Sequence, residues 1–208
     1  TEDRRWWLLD TGSPSSLGSG SVELLGARHR LLKPPFDLIG WVSKRLGVPL
    51  NGILGTDVLS RFAFSLHWAR GVVLLERMAS LPSGVARPLD MSLKVPVVDC
   101  EVSGRPLRAI VDTGATTSFL NLRDHSLGES SGAREEFRIG PQGPVEFTTN
   151  TWEVPVNCGI EYTATFGELP EEQRALLEPW RVGAILGADL WKHRVVTFDL
   201  GGGHLHMN

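Results

Sequence analysis

The chain has 208 residues, 41% of them hydrophobic and 22% charged, with a formal net charge of −3; this is apolar material for one or two ordinary cores, and it excludes a disordered or coiled-coil protein. A slightly acidic balance without a basic cluster carries no electrostatic footprint for nucleic acid. No uninterrupted apolar run approaches the ~20 residues that a membrane-crossing helix needs, so we expect a soluble domain with no nucleic-acid partner and no membrane segment in this chain.

The first residues, TEDRR and then WWLLD, lack the apolar stretch and small-residue cleavage site of a secretory leader. Whether a leader or anchor precedes Thr1 is left open, and so is the compartment. In LLDTGSPSS (8–16) a pair of leucines runs into Asp10, Thr11, Gly12 and Ser13. The stretch 21–50 offers one strand and a short helix-like piece. NGILGTDVL (51–59) follows, and its Asp57 stands where it can start a turn of helix. The strand-like run RGVVLL (70–75) then gives way to ASLPSGVARPLD (79–90), whose small residues and two prolines interrupt the apolar pattern. We read residues 1–80 as a first half, 81–90 as a linker and 91–208 as a second half.

In the second half, strand-like runs at 93–98 (LKVPVV) and 106–111 (PLRAIV) lead to IVDTGATTS (110–118), which holds Asp112, Thr113, Gly114 and Ala115. EEFRIGPQGPVEF (135–147) reads as a hairpin whose arms flank Gly140, Pro141, Gln142 and Gly143, because Pro fixes φ and Gly supplies conformations that other residues avoid. Strand-like TNTWEVPVNCG (149–159) and IEYTATFG (160–167) come next. PEEQRALLEPW (170–180) opens with a proline and two acids and reads as a short helix. GAILGADLW (183–191) and the strand VVTFDL (195–200) close the pattern. Cys100 and Cys158 lack CxxC spacing and a neighbouring His cluster, so they read as buried thiols rather than zinc ligands, with a disulfide between them left open. His204 and His206 alternate on one strand face without a third ligand, and we assign no metal.

The two halves repeat each other. LLDTGSPSS matches IVDTGATTS at an offset of 102 residues, and NGILGTDVL matches GAILGADLW at 132. The second match extends without a gap, 61–66 over 193–198 and Gly71 over Gly203. The second half therefore carries 30 extra residues between its motifs, and the predicted hairpin lies among them.

Two Asp-Thr-Gly triplets, each preceded by apolar residues, followed by a small one and answered by Ile-Leu-Gly, resemble the aspartic peptidase superfamily of the retropepsin and pepsin kind. The resemblance covers essentially the whole chain. It implies an all-β, two-lobed acid-protease fold with an internal pseudo-twofold repeat. It implies Asp10 and Asp112 as a catalytic dyad, Thr11 and Thr113 as interlocking threonines, and Gly12, Ser13, Gly114 and Ala115 as loop support. It matches Ile53 and Ile185 to hydrophobic positions that line substrate pockets, a role that competes with core packing. It also makes 135–147 a single flap, with Ile139, Gly140, Pro141, Gln142 and Gly143 over substrate. The first half has 45 residues from Asp10 to Gly55 and lacks such a turn, whereas pepsin carries its flap on the first half.

The residue types support this chemistry on their own. A strand delivers each aspartate out of a core, and the glycine after it lets the backbone turn and a substrate approach. Two carboxylates brought together cannot both ionise, so one is left as a base for a water while its protonated partner polarises a carbonyl. The expectation is an aspartic endopeptidase acting on a peptide or protein substrate, without cofactor or metal, and a monomer because both aspartates are in one chain. The alternative is a catalytically silent peptide-binding or dimerisation domain on the same fold. A β-sandwich module explains the strands but not the paired motifs.

Overall fold

The computed structural model describes residues 5–77, 84–121, 130–140 and 142–208. Strand accounts for 51% of the chain and helix for 15%, spread over several sheets, so the all-β class expected from the short, Gly- and Pro-punctuated runs holds. No helix among the described residues is long and apolar enough to cross a membrane.

The first half runs β1 (Trp6–Leu9), β2 (Leu17–Gly18), β3 (Ser21–Leu24), β4 (Ala27–Arg30), α1 (Leu38–Leu46), β5 (Leu50–Leu54), α2 (Thr56–Leu59), β6 (Ala63–His67) and β7 (Val72–Glu76). After β8 (Val85–Pro88) come β9 (Val97–Val102), β10 (Arg105–Val111), β11 (Ser118–Leu120), β12 (Gly132–Gly140), β13 (Gly143–Asn157) and β14 (Glu161–Glu168). The chain closes with α3 (Glu171–Leu177), β15 (Val182–Leu186), β16 (Val195–Asp199) and β17 (His204–Met207).

The sequence repeat reappears as a repeat of pairing. β1 lies parallel to β5 with Leu9 opposite Leu54, and β10 lies parallel to β15 with Val111 opposite Leu186. β2 returns antiparallel to β5 with Leu17 opposite Ile53, as β11 does to β15 with Phe119 opposite Ile185. The 132-residue offset also carries α1 onto α3, β5 onto β15 and β6 onto β16. Asp37 caps α1 through the Gly40 amide at 3.0 Å, and Gly47 ends it in the left-handed conformation.

α1 and α3 each lie over a small apolar cluster of their own. Leu38, Val42 and Ile53 pack under α1, while Val95, Val97, Ile110 and Val182 pack with Leu177 and Ile185 beside α3. The main core is common to both halves. A five-stranded sheet, β7-β6-β16-β17-β8, joins them. At its centre β6 and β16 pair antiparallel so that Ser65 faces Thr197, its own repeat counterpart, with the two hydroxyls 2.7 Å apart. Beside them the fully buried rings of Phe64 and Phe198 stack with centroids 4.7 Å apart.

Three stretches depart from the reading of the sequence. Residues 21–50 hold two strands rather than one, because Leu25 and Gly26 both take positive φ, 48° and 75°, and close β3 on β4. A leucine is a poor signal for such a turn; burial of Val22, Leu24 and His29 holds the hairpin against the core. The strand expected over 93–98 begins only at Val97, since Lys94, at φ 60°, donates to Met91 O in a turn. Within 81–90, residues 85–88 form β8 at the sheet edge against β17, where Pro88 needs no ladder donor.

Candidate active site

Asp10 and Asp112 stand at the ends of β1 and β10, just beyond the parallel pairings that fix those strands. Asp10 N donates to Leu54 O and Asp112 N to Leu186 O, both at 2.9 Å. Each aspartate thus projects from a strand clamped by the neighbour that bears the Ile-Leu-Gly motif.

The second motif explains itself in the same geometry. A Cβ on Gly55 would lie 2.7 Å from Ser13 O, and one on Gly187 would lie 2.9 Å from Ala115 O. Each aspartate loop therefore rests directly on the glycine backbone of its own half, which admits no larger residue. Ser13 O accepts from Thr56 N at 2.9 Å and Ala115 O from Ala188 N at 3.0 Å. Ser16 and Ser118, six residues after each aspartate, accept from Gly55 N and Gly187 N at 2.9 and 3.0 Å. Sequence reasoning gave these serines no role, although both copies of the motif carry them.

Across the halves, Thr11 N donates to Thr113 Oγ1 at 3.0 Å and Thr113 N to Thr11 Oγ1 at 2.9 Å. Thr11 Oγ1 then donates to Val111 O and Thr113 Oγ1 to Leu9 O, both at 2.6 Å. The glycines are reciprocal as well. A Cβ on Gly12 would come within 2.4 Å of Asp112 Oδ2, and one on Gly114 within 2.8 Å of Asp10 Cγ. Each loop glycine clears the space that the other half's carboxyl occupies.

The two carboxyls are thereby brought face to face. Burial, then the Asp112 charge and hydrogen bonding to its carboxyl, hold Asp10 well above the usual carboxylate range. Burial raises Asp112 as well, against the pull of the Gly114 amide, 2.8 Å from its Oδ1, and of the Asp10 carboxyl. The pair is thus set to hold one proton between its two carboxyls. Such a pair offers one acid and one base at a single point.

The hairpin β12–β13 closes with Gly140 opposite Gly143. Gly140 and Gly143 are buried, Ile139 and Gln142 exposed, and Pro141 lies outside the described residues. One face of the hairpin turns to the second half. Glu136, buried, accepts from Thr117 Oγ1 five residues beyond Asp112; Phe147 meets Phe119 at 6.2 Å; Arg138 pairs with Glu172 of α3. The other face turns to α1 of the first half. Trp41 packs edge-on against Phe137 with centroids 4.7 Å apart, and Arg45 reaches Glu146 at 3.6 Å. A Cβ on Gly143 would lie 3.9 Å from the Phe36 ring. Trp41, Arg45 and Phe36 carry no motif, and nothing short of the fold could single them out.

Ile53 is 4% exposed and taken up by the cluster under α1; Ile185 is half-buried against the cluster beside α3. No family model matches the chain, and no curated protein does.

Proposed function

We propose that this chain is an aspartic endopeptidase with a two-lobed, pepsin- or retropepsin-like fold, its lobes joined through the β6–β16 pair and its single flap formed by β12–β13. The observation that carries this reading is the facing carboxyl pair Asp10–Asp112, held by reciprocal threonines and cleared by reciprocal glycines. A structural pair of aspartates does not require such a frame. A catalytic pair does, because its two oxygens must meet one water and one carbonyl with little freedom.

In this mechanism Asp112 is taken as the charged member and accepts a proton from a water whose oxygen bonds to the scissile carbonyl carbon. Asp10 gives its proton to the carbonyl oxygen, and a gem-diol forms. As the C–N bond breaks, the proton on Asp112 passes to the departing nitrogen and Asp10 recovers one from a gem-diol hydroxyl. Ser13 and Ala115, small residues beside the dyad, leave room for the peptide. The hairpin covers the reacting groups and excludes bulk water.

The test is cleavage of an unfolded protein by the purified chain across the acidic and neutral range, with fragments identified by mass. Cleavage lost in both Asp10→Asn and Asp112→Asn supports the reading. Cleavage that persists in purified Asp112→Asn overturns the mechanism, and peptide that binds without being cut by the parent chain returns the silent peptide-binding alternative.

A further inference from the structure

Outside the dyad, the clearest reactive groups are Cys100 on β9 and Cys158 just past β13, both free thiols and both buried. β9 and β13 run antiparallel with Val156 opposite Val102 and Asn157 opposite Glu101. Continuing that register puts Cys158 opposite Cys100. The hydrogen-bond phase decides what kind of pair this is. Ser103 N donates to Pro155 O at 2.8 Å, so by alternation Glu101 and Asn157 form the next wide, hydrogen-bonded pair, and Cys100 and Cys158 form a narrow one. The Cys158 amide agrees, since it turns away to Ile160 O at 3.2 Å.

In a narrow pair the Cα atoms are about 4.5 Å apart and the side chains lean together, which lies inside the range of about 4.4–6.8 Å that a disulfide spans. Cys100, Val102, Val156 and Cys158 all point into the main core, so the two sulfurs share one face. We infer that Cys100 and Cys158 are a dithiol that a small oxidant such as hydrogen peroxide closes to an intramolecular disulfide, stapling β9 to β13. The inference is independent of the peptidase reading.

The surroundings choose which sulfur reacts first. Cys158 has the Cys100 thiol on one side and the Tyr162 hydroxyl, 4.0 Å from its Sγ, on the other. These donors and the Arg87 charge favour the thiolate at Cys158, while Cys100 is pushed far the other way by its hydrogen bond to Cys158 and by burial. The Cys158 thiolate attacks peroxide: an S–O bond forms, the O–O bond breaks, and the departing hydroxide takes a proton to leave as water. Cys100 then attacks the resulting sulfenic acid, the S–S bond forms, the S–O bond breaks and a second water leaves. Two thiols are oxidised and one peroxide is reduced to two waters.

The experiment treats the full chain with dilute hydrogen peroxide, alkylates the remaining thiols and measures the intact mass, then maps peptides without reduction. The expected product has lost two hydrogens, takes up no alkylating agent, links the peptides bearing Cys100 and Cys158, and reverts with dithiothreitol. Closing a loop of 58 residues should raise the melting temperature by about 5–10 °C. Cys100→Ser should yield no such product, its Cys158 stopping at sulfenic or sulfinic acid; if that variant does not fold, the wild-type mass still decides. Two alkylated thiols after peroxide, oxygen adducts on Cys158 beside a free Cys100, or disulfide-linked dimers would each overturn the inference.

Discussion

Thr11 and Thr113 bind each other twice over: each hydroxyl accepts the other's amide and donates to the carbonyl two residues before the other half's threonine. The four bonds, all between 2.6 and 3.0 Å, tie together the two loops that bear Asp10 and Asp112. Thr113→Val removes one acceptor and one donor and strands an amide and a carbonyl in a half-buried site. At about 1–3 kcal/mol for each unsatisfied group, the melting temperature should fall by several degrees and turnover should fall with it. Thr113→Ser, which keeps the hydroxyl, should recover most of both. Thermal unfolding and initial rates on the two variants check this, and parent-like values for Thr113→Val would remove the lock from the account.

Asp10→Asn and Asp112→Asn should each abolish nearly all turnover, and the double variant should be little worse than either single one, because in the proposed mechanism the two groups share one task. The same substitutions report on stability. The folded Asp10 keeps its proton above the ordinary value of 3.8, so in that window the folded chain binds more protons than the unfolded one. Its contribution is fully present below the unfolded pKa and is lost as pH rises through the folded pKa. Asp10→Asn should therefore gain stability over the parent as pH is raised from about 4 to about 7, and an unchanged difference in melting temperature across that range would contradict the burial of the pair. Turnover should be bell-shaped, falling at high pH as the pair loses its one proton and at low pH as it gains a second.

Gly12→Ala should separate fold from chemistry. Its Cβ would stand 2.4 Å from Asp112 Oδ2, so the carboxyl must swing away. Turnover should drop by at least ~100-fold, since displacements of about 1 Å at a reacting group cost that much. Far-ultraviolet circular dichroism should match that of the parent.

The hairpin calls for two experiments. Shortening it across 139–144 should leave the melting temperature nearly unchanged, because the tip packs little core, while peptide turnover collapses for want of a cover. A shortened chain that unfolds would mean that this tip is structural. Trp41→Ala and Arg45→Ala should raise KM more than they lower kcat. The Arg45–Glu146 pair, with side chains 36% and 63% exposed, contributes at most about 1 kcal/mol to stability. A kcat effect with unchanged KM would count against α1 as the hairpin's seat.

With both aspartates in one chain, specific activity should stay constant on dilution through the micromolar range. A steep loss on dilution, matched by a change in sedimentation, would make a second chain part of the enzyme.

What the sequence made legible is what backbone contact forces into residue type. Gly12, Gly55, Gly114 and Gly187 recur because a side chain at any of them would strike a carboxyl or a loop backbone, so the motifs survive in both halves. The correspondence of α1 with α3 was hidden, because Trp41 in one helix falls on Gln173 in the other and only backbone placement repeats. The β3–β4 hairpin was hidden for the opposite reason: its turn uses Leu25 at φ 48°, where turn chemistry would ask for Asn or Gly. Side chains that reach across halves, as Arg45 and Trp41 do, leave no periodic trace.

The meeting of Ser65 with Thr197 has a consequence for how such a chain can change. Equivalent positions that face each other in this way are what an isologous homodimer has at its axis, where any substitution arises in duplicate and must suit itself. Here the two partners are separate codons, and they already differ, serine against threonine, as do the halves in having one long hairpin rather than two. The chain keeps the geometry of a dimer while each copy of a shared position is free to drift alone. An asymmetric ligand, with distinct ends, can then be met by two sides that are no longer alike.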